Sequence, residues 1–232
     1  ASGVVLAGPR YDLSEREEGL LRNYWELKRS GLLVMLDPGS NTPRLDAFLE
    51  ATGLGPTGNR VLYAETTAAG PRKQFSVEAS FSREATVTRA LKDATTTLSA
   101  QTQSIDLRLE DSSLKELSIT LSPLMFADGR YWGEVDYLDD LPQPGPEDEA
   151  PPLVLAASAE RGAVSDERLR VDSARLVVIG NAALLDSRTR LPTNQDFIAS
   201  ALNWMMNRER LIGPPPKRKE MYRVQLNPRQ HD

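Results

Sequence analysis

Apolar residues come in short runs separated by helical spacings, and this predicts the first sixty residues as strand, helix, strand, helix. Val4 to Ala7 is a continuous apolar run, as expected of a strand covered on both faces, and Gly8-Pro9 breaks it. Ser14 and Glu17 form an S-x-x-E capping box at a helix start. Leu20, Leu21, Tyr24, Trp25 and Leu27 fall on one side of that helix, which stops near Ser30-Gly31. Leu32 to Leu36 reads as the next strand, closed by Asp37-Pro38-Gly39. Thr42 with Pro43 opens a second helix with Leu45, Phe48 and Leu49 as its core face, and Arg60 to Ala64 reads as a third strand.

The middle of the chain is less regular. Phe75 to Phe81 reads as a strand and Glu84 to Asp93 as a short helix; 103–110 alternates like a half-exposed strand, and Leu114 to Leu121 fits either element. GRYWGEVDYL around Trp132 reads as a loop with a buried aromatic. Residues 139–152, acidic and proline-rich, predict an extended, solvated loop that interrupts the domain, because Leu153 to Ala157 resumes a strand. The strand Leu176 to Ile179 runs into Gly180-Asn181, then a helix with Phe197, Ile198, Ala201, Leu202 and Met205 on its apolar face. Strand and helix alternating in this way predict an α/β fold, a three-layer, mostly parallel, doubly wound sheet of Rossmann-like or flavodoxin-like type. Residues 1–212 read as a single α/β domain and 213–232 as a C-terminal tail.

Composition narrows the chemistry. With 40% hydrophobic and 26% charged residues in 232, the chain has the make-up of an ordinary globular protein. A net charge of −5 argues against nucleic acid as a partner. The absence of cysteine removes disulfides, thiolate nucleophiles and cysteine metal sites, and the single histidine, His231, stands one residue from the end. A Ser-His-Asp triad or a zinc centre is therefore not expected, nor is any cofactor or metal. No run approaches the ~20 apolar residues needed to cross a bilayer. The chain opens abruptly on a strand without an initiator methionine, which reads as a piece of a larger protein whose membrane anchor lies outside it.

Few motifs survive their context. Gly53, Gly55 and Gly58 match G-x-G-x-x-G literally, but they follow a helix and precede a strand, the reverse of a dinucleotide site. Gly8-Pro9, Asp37-Pro38-Gly39-Ser40 and Gly180-Asn181 all close predicted strands and should gather at one edge of the sheet, where open α/β folds bind ligands. Gly8, Pro9, Asp37 and Asn181, with Trp132, are thus the candidate ligand-binding residues; the plainer reading has Asp37 only capping its turn. Carboxylates at 139–140 and 147–149 are expected to be hydrated. Lys217-Arg218-Lys219 reads as a solvated linker or as a basic segment before a membrane span.

Three segments resemble the GldG-like family of gliding-motility-type ABC transporter auxiliary proteins. VVLAGPRYDLSEREEGLLRNYWELKRSGLLVMLDPGSN is similar to the family's strand, "AGP", helix and "LLVLLDP" stretch. RLVVIGNAALLDS with NQDFIASALNWMMNRERLI resembles its closing strand, turn and "LNW" helix, and LSPLMFADGRYWGEVDYL its "T-S-x-x-x-W-x-E" piece. Where the family commonly has an acidic residue after the glycine of the last strand, this chain has Asn181. The resemblance implies an extracytoplasmic (periplasmic) domain related to one in an intraflagellar-transport protein and distantly to glutamine-amidotransferase-like folds. It also implies an inner-membrane anchor shortly after the tail, and an ABC permease and ATPase as partner subunits. Amidotransferases need a nucleophilic cysteine and a histidine, and neither is in place here.

The expectation is therefore a non-enzymatic auxiliary domain acting in ligand sensing or protein–protein interaction, with a small molecule or glycan as ligand. Two rivals stand beside it. One is a glycan-directed hydrolase using Asp37 with Glu134 or Asp136, whose carboxyls would have to lie ~5 Å apart (retaining) or ~6.5–9.5 Å apart (inverting). The other is a plain oligomerisation domain with a large apolar patch.

Overall fold

The computed structural model describes residues 3–27, 29–68, 70–137, 143–162, 172–186, 188 and 191–212. The elements run β1 (Val4–Ala7), α1 (Glu15–Trp25), β2 (Gly31–Met35), α2 (Pro43–Ala51), β3 (Leu54–Pro56), β4 (Arg60–Thr67), β5 (Gly70–Gln74) and β6 (Val77–Phe81). After these come β7 (Thr95–Leu98), β8 (Ile105–Leu107), α3 (Ser112–Glu116), β9 (Ile119–Ala127), β10 (Trp132–Glu134), β11 (Val154–Arg161), β12 (Ala174–Ile179) and α4 (Pro192–Met205).

The opening follows the sequence signals closely. Ser14 Oγ accepts the Glu17 amide at 3.3 Å while the Glu17 carboxylate accepts the Ser14 amide at 2.8 Å, so the capping box forms. Pro43 starts α2, but Thr42 does not cap it. The free amides of Arg44 and Leu45 instead donate to the Asp12 carboxylate at 3.1 and 3.3 Å. A side chain thirty residues upstream thus caps α2 and ties it to the β1–α1 connection.

The sheet departs from the expected fold class. Its seven strands run in the order β1-β2-β12-β11-β9-β6-β7. Only β1–β2 and β2–β12 pair in parallel; the other four neighbouring pairs are antiparallel. The protein is therefore a β-rich fold around a mixed sheet, not a three-layer, mostly parallel, doubly wound one of Rossmann, flavodoxin or amidotransferase type. The cause lies after α2, where a doubly wound chain would return a third parallel strand to the sheet. Here β3 pairs with β8, and β4 forms a separate three-stranded sheet with β10 and β5. The rest of the large sheet is built from antiparallel strands such as β6, whose residues alternate buried and exposed. Pro123 sits within β9 opposite Ala157, where the β9–β11 register shifts, a bulge that accommodates a residue unable to donate to the ladder.

Helices cover only part of this sheet. On one face Leu21 and Trp25 of α1 and Leu45, Phe48 and Leu49 of α2 pack on Leu32, Val34, Leu176 and Val178. On the other, Phe197, Ile198, Ala201 and Trp204 of α4 pack with Leu33, Met35, Val177 and Ile179, a core that continues beneath β6, β7 and β9. β1 is an edge strand rather than a strand covered on both faces, and Val5 is 48% exposed. Leu20 and Leu27 are also exposed, so α1 buries the narrower Leu21–Trp25 stripe. The helix expected at 84–93 is one 3₁₀ turn at Arg89–Leu91, and the Trp132 loop is the strand β10. The tail at 213–232 and the acidic stretch at 138–142 lie outside the described residues.

Candidate functional site

Because β1, β2 and β12 are parallel neighbours, their carboxyl ends meet. Gly8 N donates to Met35 O and Leu36 N to Ile179 O, each at 2.8 Å, which fixes the three turns side by side. Gly8 has φ +55°, and a Cβ there would lie 2.9 Å from Ala182 Cβ, so both backbone and space call for glycine. In front of these turns opens a cleft of about 240 Å³ lined by Pro9, Leu36, Asp37, Pro38, Ser40, Thr42 and Asp46 on one side and Pro56, Thr57, Gly58 and Gln103 on the other.

Asp37 lines the cleft and also caps its own turn: Oδ1 accepts Gly39 N at 3.0 Å, and its carbonyl accepts Ser40 N at 2.9 Å. Asp46 faces the same space from α2 and accepts the Thr42 hydroxyl at 3.1 Å. Burial raises the Asp46 pKa; the Thr42 hydrogen bond opposes this, and repulsion from Asp12 and Glu50 adds to it. A folded-state pKa above the unfolded one means that ionised Asp46 opposes folding. That group favours the fold below its unfolded pKa, and the benefit is lost as pH rises through the folded one. Asp46→Asn keeps an acceptor for Thr42 and should be more stable than the parent at pH 7, the gain vanishing below pH ~3.9. Urea titrations at neutral and acid pH would show this; a variant less stable by the same margin at both would refute it.

Arg60, at the start of β4, holds the wall between the Asp37 turn and the strap 101–104. It is 3% exposed. Its Nε donates to Gln101 Oε1 at 2.9 Å and Nη1 to the carbonyls of Gly58 and Asn59 at 2.9 and 3.0 Å. Nη2 donates to Pro38 O at 2.5 Å, and the guanidinium lies 4.4 Å from the Tyr137 ring centre. Burial lowers its pKa, against the pull of Tyr137 and Asp37, but an arginine stays protonated.

The candidates from sequence separate here. Pro9 and Asp37 line the cleft, and Gly8 shapes the turn that presents Pro9 without lining it. Asn181 is fully buried behind it, and its Nδ2 donates to Ser99 O at 2.9 Å and Thr102 Oγ1 at 2.8 Å. It anchors the strap and is not part of the cleft lining. Trp132 is buried in β10, where its Nε1 donates to Glu134 Oε2 at 3.1 Å, away from the cleft residues. Glu134 is in turn 3.4 Å from Lys73 Nζ. Glu134 and Asp136 line a different cavity from Asp37, with residues 143–148, so the geometry gives the hydrolase reading no shared pair.

Three cleft residues, Thr57, Gln103 and Asp46, were not candidates from sequence, nor was Arg60 behind the wall. Nor are the loop carboxylates simply hydrated. Asp148 accepts Val135 N at 2.9 Å and Gly145 N at 2.6 Å, and Glu149 accepts Asn59 Nδ2 at 2.7 Å. Among the described residues, no cluster of three or more His, Asp or Glu could hold a metal ion, and no helix is long and apolar enough to cross a membrane.

No family model matches the chain, and neither does any curated protein. Among solved structures, the chain is similar to one described as "mmIFT52 N-terminal domain", with a TM-score of 0.56 and 13% identity over 88% of this chain and 77% of that one. At that identity the likeness is one of fold alone. The family resemblance implied kinship with a domain of an intraflagellar-transport protein; the likeness found is to such a domain, and it does not bear on the GldG-like family itself.

Proposed function

We propose that the protein is a non-enzymatic, ligand-sensing domain of an ABC-type transport system of the gliding-motility kind. It would work on the extracytoplasmic side, anchored to the inner membrane by a segment outside this chain, with the permease and ATPase as partners. The support for the family comes from the three resembling segments. The observation that carries the sensing role is the convergence of the Gly8-Pro9 and Asp37 turns on one polar cleft at the ends of parallel strands.

The lining suggests the ligand's chemistry. It holds two carboxylates, the hydroxyls of Ser40, Thr42 and Thr57, and the Gln103 amide, and no described cation. Such a wall accepts hydrogen bonds and positive charge, so it suits a small hydroxylated or amine-bearing ligand better than an anion. Two measurements test the proposal. The protein purified from its native membranes should bring an ABC permease and ATPase with it. The domain should gain about 5 °C or more in Tm with a saturating member of a panel of polyols, amino sugars and small amines. Asp37→Asn should abolish that gain; no co-purification and no shift across the panel would refute the proposal.

A further inference from the structure

The 143–149 segment reads from sequence as a solvated acidic loop, yet its last residue reaches the wall of the cleft. Glu149 pairs with Gly133 through two backbone hydrogen bonds, at 2.9 and 3.0 Å, and so is held beside β10. Its Oε2 accepts Asn59 Nδ2 at 2.7 Å and the Ser104 hydroxyl. Asn59 Oδ1 accepts Ser104 N at 3.0 Å, and both residues are buried. Thr57 Oγ1 lies 2.9 Å from Ser104 Oγ and 3.1 Å from Ser104 O, and Gly58 N donates to Gln103 Oε1 at 3.0 Å. Thr57, Gly58 and Gln103 are cleft residues.

From these contacts we infer that Glu149 is a positioning residue for the cleft. It locks the 57–60 turn onto the 101–104 strap and sets which way the hydroxyl protons point. A carboxylate is acceptor-only, so the one Ser104 hydroxyl proton goes to Glu149. Ser104 Oγ must then accept from Asn59 Nδ2, 2.9 Å away, and the Thr57 proton points inward to Ser104. Thr57 is left offering a lone pair to the cleft, in keeping with a ligand that donates hydrogen bonds. No apolar or donor-only residue at 149 could impose this arrangement. The cleft's role as a ligand seat rests on the function proposed above; the positioning by Glu149 does not.

Amide hydrogen exchange separates positioning from plain stability. Two amides, Ser104 N and Gly58 N, are bonded to side chains of the clamp and report on it directly. In Glu149→Ala they should exchange about tenfold faster, while amides within β2 and β12 change less than about twofold. Glu149→Gln, which retains one acceptor oxygen, should bring both back to within about threefold of the parent. Uniform acceleration, extending to β2 and β12, would make Glu149 merely structural and overturn the inference; so would unchanged exchange at Ser104 and Gly58. A ligand panel that leaves Tm unmoved would defeat the sensing role without altering this result.

Discussion

Gly180→Ala should cost about 3 kcal/mol or more and lower Tm by roughly 10 °C in a domain of this size. Gly180 follows β12 with its α-carbon against the strap, and a Cβ there would stand 1.9 Å from Gln103 O and 3.0 Å from Gln103 C. Both are backbone atoms, so no rotamer change relieves the clash. Gly180 also donates to Leu155 O and accepts from Gln103 N, each at 2.9 Å, so neither side can back away without breaking a buried hydrogen bond. The requirement is for empty space, since no left-handed φ is involved at this position. Gly129→Ala, where nothing lies within 4 Å, is the control and should change stability by less than ~0.5 kcal/mol. Urea unfolding compares the two. A Gly180→Ala midpoint matching that of the control would mean that the strap is not pressed against β12. Loss of the strap would also carry away Gln103, so ligand-induced stabilisation should fall with it.

The same contact shows what sequence could and could not reveal. Gly180-Asn181 was legible as a turn because a run of four apolar residues stops there, and parallel pairing of the runs at 4–7, 32–36 and 176–179 brings such turns together. That local logic brings Pro9 and Asp37 to one cleft, with Gly8 in the turn behind. The facing wall comes from Pro56, Thr57, Gly58 and Gln103, held by pairings 45 and 47 residues apart that no local pattern encodes. Asn181 belongs to the right turn but not to the cleft lining, because two residues past the strand its side chain points under the strap. The mixed sheet had a signal: Val77, Ala79 and Phe81 alternate with Glu78 and Ser80, a period that belongs to antiparallel strands. The βαβα opening points the other way, and a proline such as Pro123 is a poor sign of the central strand in which it lies. Arg60 offered nothing to local reading. An arginine opening a strand looks like a surface residue until its five donors are counted against Pro38, Gly58, Asn59 and Gln101.

Those donors make Arg60→Met the second large effect, at about 3 kcal/mol. Methionine fills much of the same volume but supplies none of the hydrogen bonds, leaving the Pro38, Gly58 and Asn59 carbonyls without their guanidinium partner. No described carboxylate lies within ion-pair distance of Arg60, so its removal strands no buried charge, and the loss should stay below that of breaking a buried ion pair. Arg60→Lys should be no milder. An ammonium is a point donor that cannot span four acceptors on different segments, and burial would favour its neutral form. The consequence reaches the cleft through Pro38: once its carbonyl is released, the turn that carries Asp37 loses its hydrogen bond to β4. Exchange of Gly39 and Ser40 amides, both bonded to Asp37, should therefore accelerate in Arg60→Met by more than the global loss of stability explains. Urea unfolding gives the global term and amide exchange the local one. A variant as stable as the parent, with Gly39 and Ser40 equally protected, would show that β4 does not hold the Asp37 turn, and the cleft would have to be a product of β1, β2 and β12 alone.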